Sequence, residues 1–193
     1  MAQNTLFPSI HDGFARGYAY EPEFLSAADE KALIGEIERL SLAQAEYKGF
    51  RANRRIMSYG GRYDFSAQQL RSAEPIAAFL LPLRAKAAAW AGCPADDFTH
   101  ALIAQYPPGS RLGWHRDVPD FELIVGISLG SACRMRFRHY PPRFRERSIA
   151  LDIEPRSIYR LQHEARWEWQ HSVPPVPDLR YSITYRSLRK RPS

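Results

Sequence analysis

His115 and Asp117 stand two residues apart, and a further histidine, His171, follows much later in the chain. Two imidazoles and one carboxylate on one face of a metal are the ligand set of non-heme Fe(II) sites, which keep positions open for a cosubstrate and oxygen. Near the C-terminus the run Arg180-Tyr-Ser-Ile-Thr-Tyr-Arg186 adds two arginines. A guanidinium fork matches a carboxylate, so a dicarboxylate cosubstrate is the chemistry they suggest. Each piece also has a plain reading. His-x-Asp alone is a surface pair, and a lone His171 is a core histidine. The polar side of the C-terminal run is equally the solvated face of a strand.

These groups need elements to bring them together. On a strand, residues two apart share a face, which puts His115 with Asp117. Along 180–186 the alternation is strict: Arg180, Ser182, Thr184 and Arg186 face one way, and Tyr181, Ile183 and Tyr185 the other. Turned inward, the arginines require anionic partners, because a buried unpaired charge is too costly. Their Cα atoms would lie roughly 20 Å apart at ~3.3 Å per residue, so both must lean toward a small molecule.

From residue 98 onward, short β-rich runs alternate with Pro and Gly breaks: Thr99–Tyr106, Phe121–Leu129, Cys133–His139, Ser148–Ile153, Ser157–Leu161 and Tyr181–Ser187. Regular short strands of this kind predict a sandwich or barrel. Ahead of them, Ser26 caps a helix over 27–41, with Leu33, Ile34, Ile37 and Leu40 at helical spacing. A second helix covers 76–91 and stops at Gly92, and Pro82 leaves its start open. Residues 52–65 read as a hairpin around Gly60-Gly61. Helices first and strands afterwards give an α+β chain, with a jelly-roll core over 98–189 and the N-terminal helices packed against one sheet. At 193 residues one domain is expected, with an irregular segment over 1–20.

Composition excludes several classes. No stretch is long or apolar enough to span a bilayer, and the N-terminus lacks the pattern of a secretory signal. Cys93 and Cys133 are too few for a disulfide scaffold or a Cys-rich zinc site, and they suit a reducing cytoplasm as free thiols. The net charge is +6, and the basic residues are 23 Arg against 4 Lys. That balance favours polyanionic partners, and it equally fits a genomic bias towards Arg codons.

The segments Gln105-Tyr-Pro-Pro-Gly-Ser-Arg-Leu-Gly-Trp-His-Arg-Asp117, Ile127-Ser-Leu-Gly130, Trp169-Gln-His-Ser172 and Arg180–Arg186, in this order and spacing, resemble the AlkB family of Fe(II)/2-oxoglutarate dioxygenases. The resemblance covers roughly residues 20–189. It implies a double-stranded β-helix core in which His115, Asp117 and His171 bind iron. Arg180 would pair with the distal carboxylate of 2-oxoglutarate, helped by the Tyr106 hydroxyl. Arg186 would support the cosubstrate or Asp117. The chain departs from the family pattern at three places. Ser182 and Ala104 stand where Asn is common, and Pro119 stands where several nucleic-acid repair members carry an acid that touches the target base. Asp120 and Glu122 are the nearby acids.

The implied reaction is oxidative dealkylation of N-alkylated bases in DNA or RNA, consuming oxygen and 2-oxoglutarate and giving aldehyde, succinate and carbon dioxide. The alternative is the same iron chemistry on a protein or small molecule. A monomer is expected. In the family the segment ahead of the core is a nucleotide-recognition lid, and 48–65 is its candidate here. Tyr59, Arg62 and Tyr63 from that segment, with Trp114 and Asp120, are candidate substrate contacts. Lys48, Arg51, Arg54 and Arg55 add to its charge. Arg134, Arg136 and Arg138 alternate with Cys133, Met135 and Phe137, so the arginines share one sheet face. With Arg143, Arg145 and Arg147 they form either a polar exterior or a phosphate-tracking stripe. Trp167 and Trp169 would wall the pocket or pack between sheets. His163 is a rival third ligand. His11, His100 and His139 have no ligand-like neighbours.

Overall fold

The computed structural model describes residues 14–47, 50–64, 69–71, 73–145 and 147–190. The elements are β1 (Ala19–Glu21), α1 (Ala27–Glu38), β2 (Ala43–Tyr47), β3 (Phe50–Tyr59), β4 (Arg62–Asp64), β5 (Gln69–Arg71), α2 (Leu81–Ala91), β6 (Phe98–Tyr106), β7 (Leu112–His115) and β8 (Phe121–Leu129). They continue with β9 (Cys133–His139), β10 (Ile149–Ile153), β11 (Ile158–Leu161), α3 (His163–Trp167), β12 (Trp169–Val173) and β13 (Arg180–Leu188).

The larger sheet runs β1-β11-β8-β13-β6-β3-β2 and the smaller β10-β9-β12-β7. Neighbouring strands in both are antiparallel. Ile124, Phe137, Leu151, Ile153 and Leu161 fill the space between the sheets. On the far side of the larger sheet, Ile37 of α1 and Leu83 and Ala87 of α2 pack with Ile103, Val125, Ile127, Ile183 and Tyr185. The fold is the α+β jelly roll, with its N-terminal helices on one sheet.

Local chemistry sets the helix ends. The Ser26 hydroxyl accepts from the Asp29 amide at 3.1 Å, and the Asp29 carboxylate accepts from the Ser26 amide at 3.3 Å. This reciprocal cap is worth about 1 kcal/mol. The helix ends at Glu38, short of the expected 41, and Leu40 packs onto the core from outside it. Pro82 begins α2 instead of breaking a helix from 76: without an N–H it fits the first turn, after one 3-10 turn over Ala78–Leu80. Gly92 closes α2 in the left-handed region, at φ 74°.

The expected hairpin at Gly60-Gly61 is not formed. β3 pairs with β2 and β6 in the larger sheet, while β4 pairs with β5 in a separate ribbon. Gly60 is needed for close approach: a Cβ there would lie 1.8 Å from the Thr99 carbonyl oxygen, and its amide donates to the Glu74 carbonyl at 2.7 Å. The N-terminal segment is likewise less irregular than expected, because Ala19–Glu21 adds a strand beside β11. Residues 1–13, with His11, and residues 48, 49 and 65 of the expected lid lie outside the described residues.

β13 sits between β8 and β6 and is buried on both faces. Its polar residues therefore point inward. Arg180, Ser182 and Thr184 are buried, at 1%, 5% and 7% exposure. Tyr185, on the other face, donates to the Leu80 carbonyl at 2.8 Å beneath the helices.

Candidate metal centre

Strand pairing alone brings the two histidines together. β12 and β7 are neighbours, and His171 lies opposite His115 in register. Their ring centroids are 4.2 Å apart. Asp117 follows just beyond β7, and its Oδ2 lies 3.8 Å from His171 Nε2. One ligand atom from each of His115, Asp117 and His171 falls within 4.8 Å of the others. Among the described residues this is the one group of three that could hold a metal, and His163, at the start of α3, is not part of it.

The surrounding bonds decide which atoms remain for a metal. His115 Nδ1 lies 2.9 Å from the Gly113 carbonyl oxygen, which can only accept. Nδ1 therefore carries the proton, and the lone pair sits on Nε2. Arg186 donates to Asp117 Oδ1 through Nε at 2.8 Å, and its second nitrogen lies 2.7 Å from the same oxygen. That leaves Oδ2 on the histidine side. Burial pushes the Asp117 carboxyl up, but Arg186, both imidazoles and Arg166 outweigh it and hold it well below the usual carboxylate range. Burial lowers both imidazoles, His171 to about 3. Two neutral imidazoles and an ionised carboxylate are the protonation states a divalent metal requires. The donor set fits Fe(II).

Arg180 is a different case. It is 1% exposed, and its Nε donates to Ser128 Oγ at 3.1 Å. Its guanidinium carbon lies 5.0 Å from the centroid of the Tyr106 ring. Among the described residues no carboxylate lies within ion-pair distance of it. A buried cation with a single hydroxyl acceptor and no carboxylate among the described residues is a fitting anchor for a small-molecule carboxylate. Ser182 lies on the same inward face, opposite Ala104 on one side and Ser128 on the other.

Two supporting residues were not anticipated. Arg166, 2% exposed, donates through one nitrogen to the carbonyls of Asp117 (3.1 Å), Val118 (2.7 Å) and Phe121 (3.0 Å). It ties down the loop that carries the carboxylate ligand. His100 accepts from Arg186 at 3.3 Å, and burial and Arg186 lower its pKa to about 3. The period-two pattern of β6 puts His100 on the same face as Tyr106, but only the β6–β13 register sets it opposite Arg186.

The candidate substrate contacts divide. Tyr59 does not line the interior: it is buried with Met57 among the residues that pack beneath the helices, because odd positions of β3 take that face. Trp114 points opposite to its neighbour His115 and lies under Arg138 and Arg136, at 4.4 and 5.2 Å. Arg62 and Tyr63 lie on β4, with side chains outside the described residues. Asp120 is half-buried in the loop after Asp117, and its carbonyl accepts from the Arg189 amide at 2.7 Å. Glu122 is engaged by Trp167 Nε1 at 3.0 Å and by Arg189 at 3.9 Å. Trp169 packs in the core against Phe14 and His139. As the alternation requires, Cys133, Met135 and Phe137 are buried while Arg134, Arg136 and Arg138 lie on the outer face.

Comparison with known proteins agrees with this geometry. The model of the 2OG-Fe(II) oxygenase superfamily matches residues 22–186. The alkylated DNA repair protein ALKBH8 homolog of Arabidopsis thaliana is 25% identical over 194 residues, spanning 88% of this chain and 54% of that protein. The uncharacterized protein L905 of Acanthamoeba polyphaga mimivirus is 34% identical over 102 residues, 46% of this chain and 48% of that one. The chain thus spans about half the length of these curated relatives. Among solved structures, OsALKBH1 superposes with a TM-score of 0.68 at 15% identity, covering 89% of this chain and 96% of that one. A prolyl-4-hydroxylase from Pseudomonas putida gives 0.59 at 19% identity, covering 91% and 94%. Fe(II) and 2-oxoglutarate are the cofactors of this superfamily. The chain belongs to the 2OG-Fe(II) oxygenase superfamily and is similar in sequence and fold to AlkB-type members of it.

Proposed function

We propose that the enzyme removes N-alkyl groups from bases of DNA or RNA. His115 Nε2, Asp117 Oδ2 and His171 Nε2 would hold Fe(II). Arg180, with Tyr106 and Ser182 beside it, would take the distal carboxylate of 2-oxoglutarate. Iron and the keto acid together supply an oxidant from oxygen, with succinate and carbon dioxide as by-products. The chain's own residues do the rest. Arg186 and Arg166 fix the carboxylate ligand and its loop. The Gly113 carbonyl fixes the imidazole tautomer of His115. The apolar layer between the sheets keeps bulk water from the reacting carbon. That carbon gains a hydroxyl group in place of one hydrogen and then leaves its nitrogen as an aldehyde.

The observation that carries the nucleic-acid reading is the outer surface of the smaller sheet. There Arg136 and Arg138 stack on Trp114, and Arg116 stacks on the half-exposed Tyr140 at 3.8 Å. Phe144 is 89% exposed, with Arg145 at 5.2 Å. Cations interleaved with rings suit phosphates and unstacked bases. The relation to an alkylated DNA repair protein homologue supports the same reading. The candidate lid, residues 48–65, takes in β3 and β4.

A second reading keeps the iron chemistry and changes the substrate to a protein or small molecule. It is favoured by Pro119 at the position where base-recognising acids occur, and by the engagement of Glu122 with Trp167 and Arg189. A panel of N-methylated oligonucleotides, peptides and small amines, read by formaldehyde release, separates the two. Turnover confined to peptides or amines would discard the nucleic-acid reading.

A further inference from the structure

Among the described residues three arginines of the larger sheet face the space between the sheets; Arg186 is bonded to Asp117, and Arg180 is the cosubstrate anchor proposed above. The third is Arg54. β3 pairs with β6 so that Arg55 lies opposite Gln105 and Ile56 opposite Ala104, which sets Arg54 beside Tyr106. Its guanidinium carbon is 5.7 Å from the centroid of the Tyr106 ring, the ring that Arg180 approaches to 5.0 Å from the next strand.

Arg54 differs from both neighbours in having no polar partner among the described residues. Its Nε is buried and has no acceptor, and no carboxylate among the described residues lies within ion-pair distance of its guanidinium. A buried N–H without an acceptor costs about 1–3 kcal/mol, so such a group calls for an explanation. Other guanidine nitrogens share this state for other reasons. Arg84 is anchored through its terminal nitrogen to Asp96, and Arg166 through its own to three carbonyls. Arg160 lies on the opposite face of β11 from the inward Tyr159.

The position of Arg54 indicates what would complete it. β7, which carries His115, is an edge strand of the smaller sheet, and β3 lies one strand in from the edge of the larger sheet. The charge of Arg54 reaches His115. Arg54 therefore faces the space between the sheets on the side of the metal ligands. The cosubstrate's distal carboxylate already has Arg180, Ser128 and Tyr106, so the group met by Arg54 belongs to the substrate.

We propose that Arg54 recognises the phosphate of the nucleotide whose base is oxidised, with Nε–H as one arm of a forked contact. This rests on the nucleic-acid reading above. A guanidinium holds a phosphate through two parallel N–H bonds, which satisfies the buried Nε and fixes the nucleotide relative to the iron site.

The test is a binding titration on the full chain loaded with Mn(II) and 2-oxoglutarate, comparing 1-methyladenosine with its 5′-monophosphate by calorimetry. The wild type should bind the monophosphate about tenfold more tightly or better, the value of one charged hydrogen bond. In Arg54→Met that preference should collapse to within about twofold, and Arg54→Lys should keep part of it. Affinity for 2-oxoglutarate, measured in the same variants, reports that the barrel is intact; if Arg54→Met does not fold, Arg54→Gln takes its place. Equal binding of the two ligands by the wild type, failure to bind either, or a preference that survives Arg54→Met overturns the assignment. So does a loss of 2-oxoglutarate affinity as large as the loss of monophosphate affinity, which would make Arg54 a cosubstrate residue. An Arg54-dependent preference without turnover of any alkylated oligonucleotide leaves the anion site standing and rejects the dealkylation reading. Turnover without the preference does the reverse.

Discussion

Arg180 and Arg186 sit on one strand, on one face, at opposite ends of the same polar stripe, yet they end in opposite states. Arg186 is paired with Asp117 at 2.7 Å and contacts His100. Arg180 is more deeply buried, bonds to the Ser128 hydroxyl and lies over the Tyr106 ring, with no carboxylate in ion-pair reach among the described residues. The first is an internal ion pair that positions a candidate metal ligand. The second is a cation with no carboxylate beside it among the described residues, as the proposed cosubstrate site requires. Identical side chains in one strand thus do structural and binding work according to whether the fold supplies a carboxylate beside them.

The largest effects should separate the two ends from the centre they share. His115→Ala, Asp117→Ala or His171→Ala should abolish metal binding and succinate formation together, by metal titration and product analysis. Full turnover in any of the three would remove that residue from the centre.

Next, Arg180→Met should weaken 2-oxoglutarate binding about thirtyfold or more, as expected when one partner of a buried charged pair is truncated. Metal affinity should change little. Arg186→Met should show the converse: metal affinity reduced roughly 10–100-fold, as for other groups that orient a ligand. Parallel calorimetry of metal and cosubstrate reads both. If each variant lost both affinities equally, the distinction between the two arginines would not hold.

Acid should act through the histidines. His100, against Arg186, and His171 both have folded pKa values near 3, well below the ordinary 6.5. Below 6.5 the unfolded chain takes up protons at these sites while the folded chain does not. Their contribution to stability is complete above 6.5 and is lost as pH falls towards 3. Each should cost on the order of 2 kcal/mol by pH 5 in the metal-free protein. Urea melts at pH 7 and 5 measure the sum, and His100→Gln should remove part of the difference. A melt with no pH dependence would refute the burial argument for both imidazoles.

The smallest change tests the hydroxyl side. Ser128→Ala deletes the acceptor of Arg180 Nε and should weaken 2-oxoglutarate roughly three- to tenfold without altering metal affinity. An unchanged cosubstrate affinity would mean that this bond is replaced on binding.

How much of this was legible beforehand depended on the range of the information. β-rich runs between Pro and Gly breaks marked β8 and β9 to the residue, and period-two alternation sorted Cys133, Met135 and Phe137 from Arg134, Arg136 and Arg138. Ser26 with Asp29 marked the start of α1, and Gly92 the end of α2. Gly60 misled because a glycine serves a turn and a close backbone approach equally, and only the position of Thr99 tells them apart. Tyr59, which faces the helices, and Trp114, which faces the outer surface, show a related limit. Alternation says which residues share a face, but not whether that face meets helices, solvent or the metal site.

The residue sequence by itself therefore determined the local terms: strand periods, caps, the metal donor set and the family motifs that order it. Tertiary structure decided the rest. It turned the polar stripe of β13 inward, set His100 against Arg186, brought Arg166 under the loop of Asp117 and gave Arg180 no carboxylate among the described residues. Each of these depends on register between strands far apart in the chain. A side chain's energy is set by the groups that register places beside it, and a local pattern carries no information about those groups.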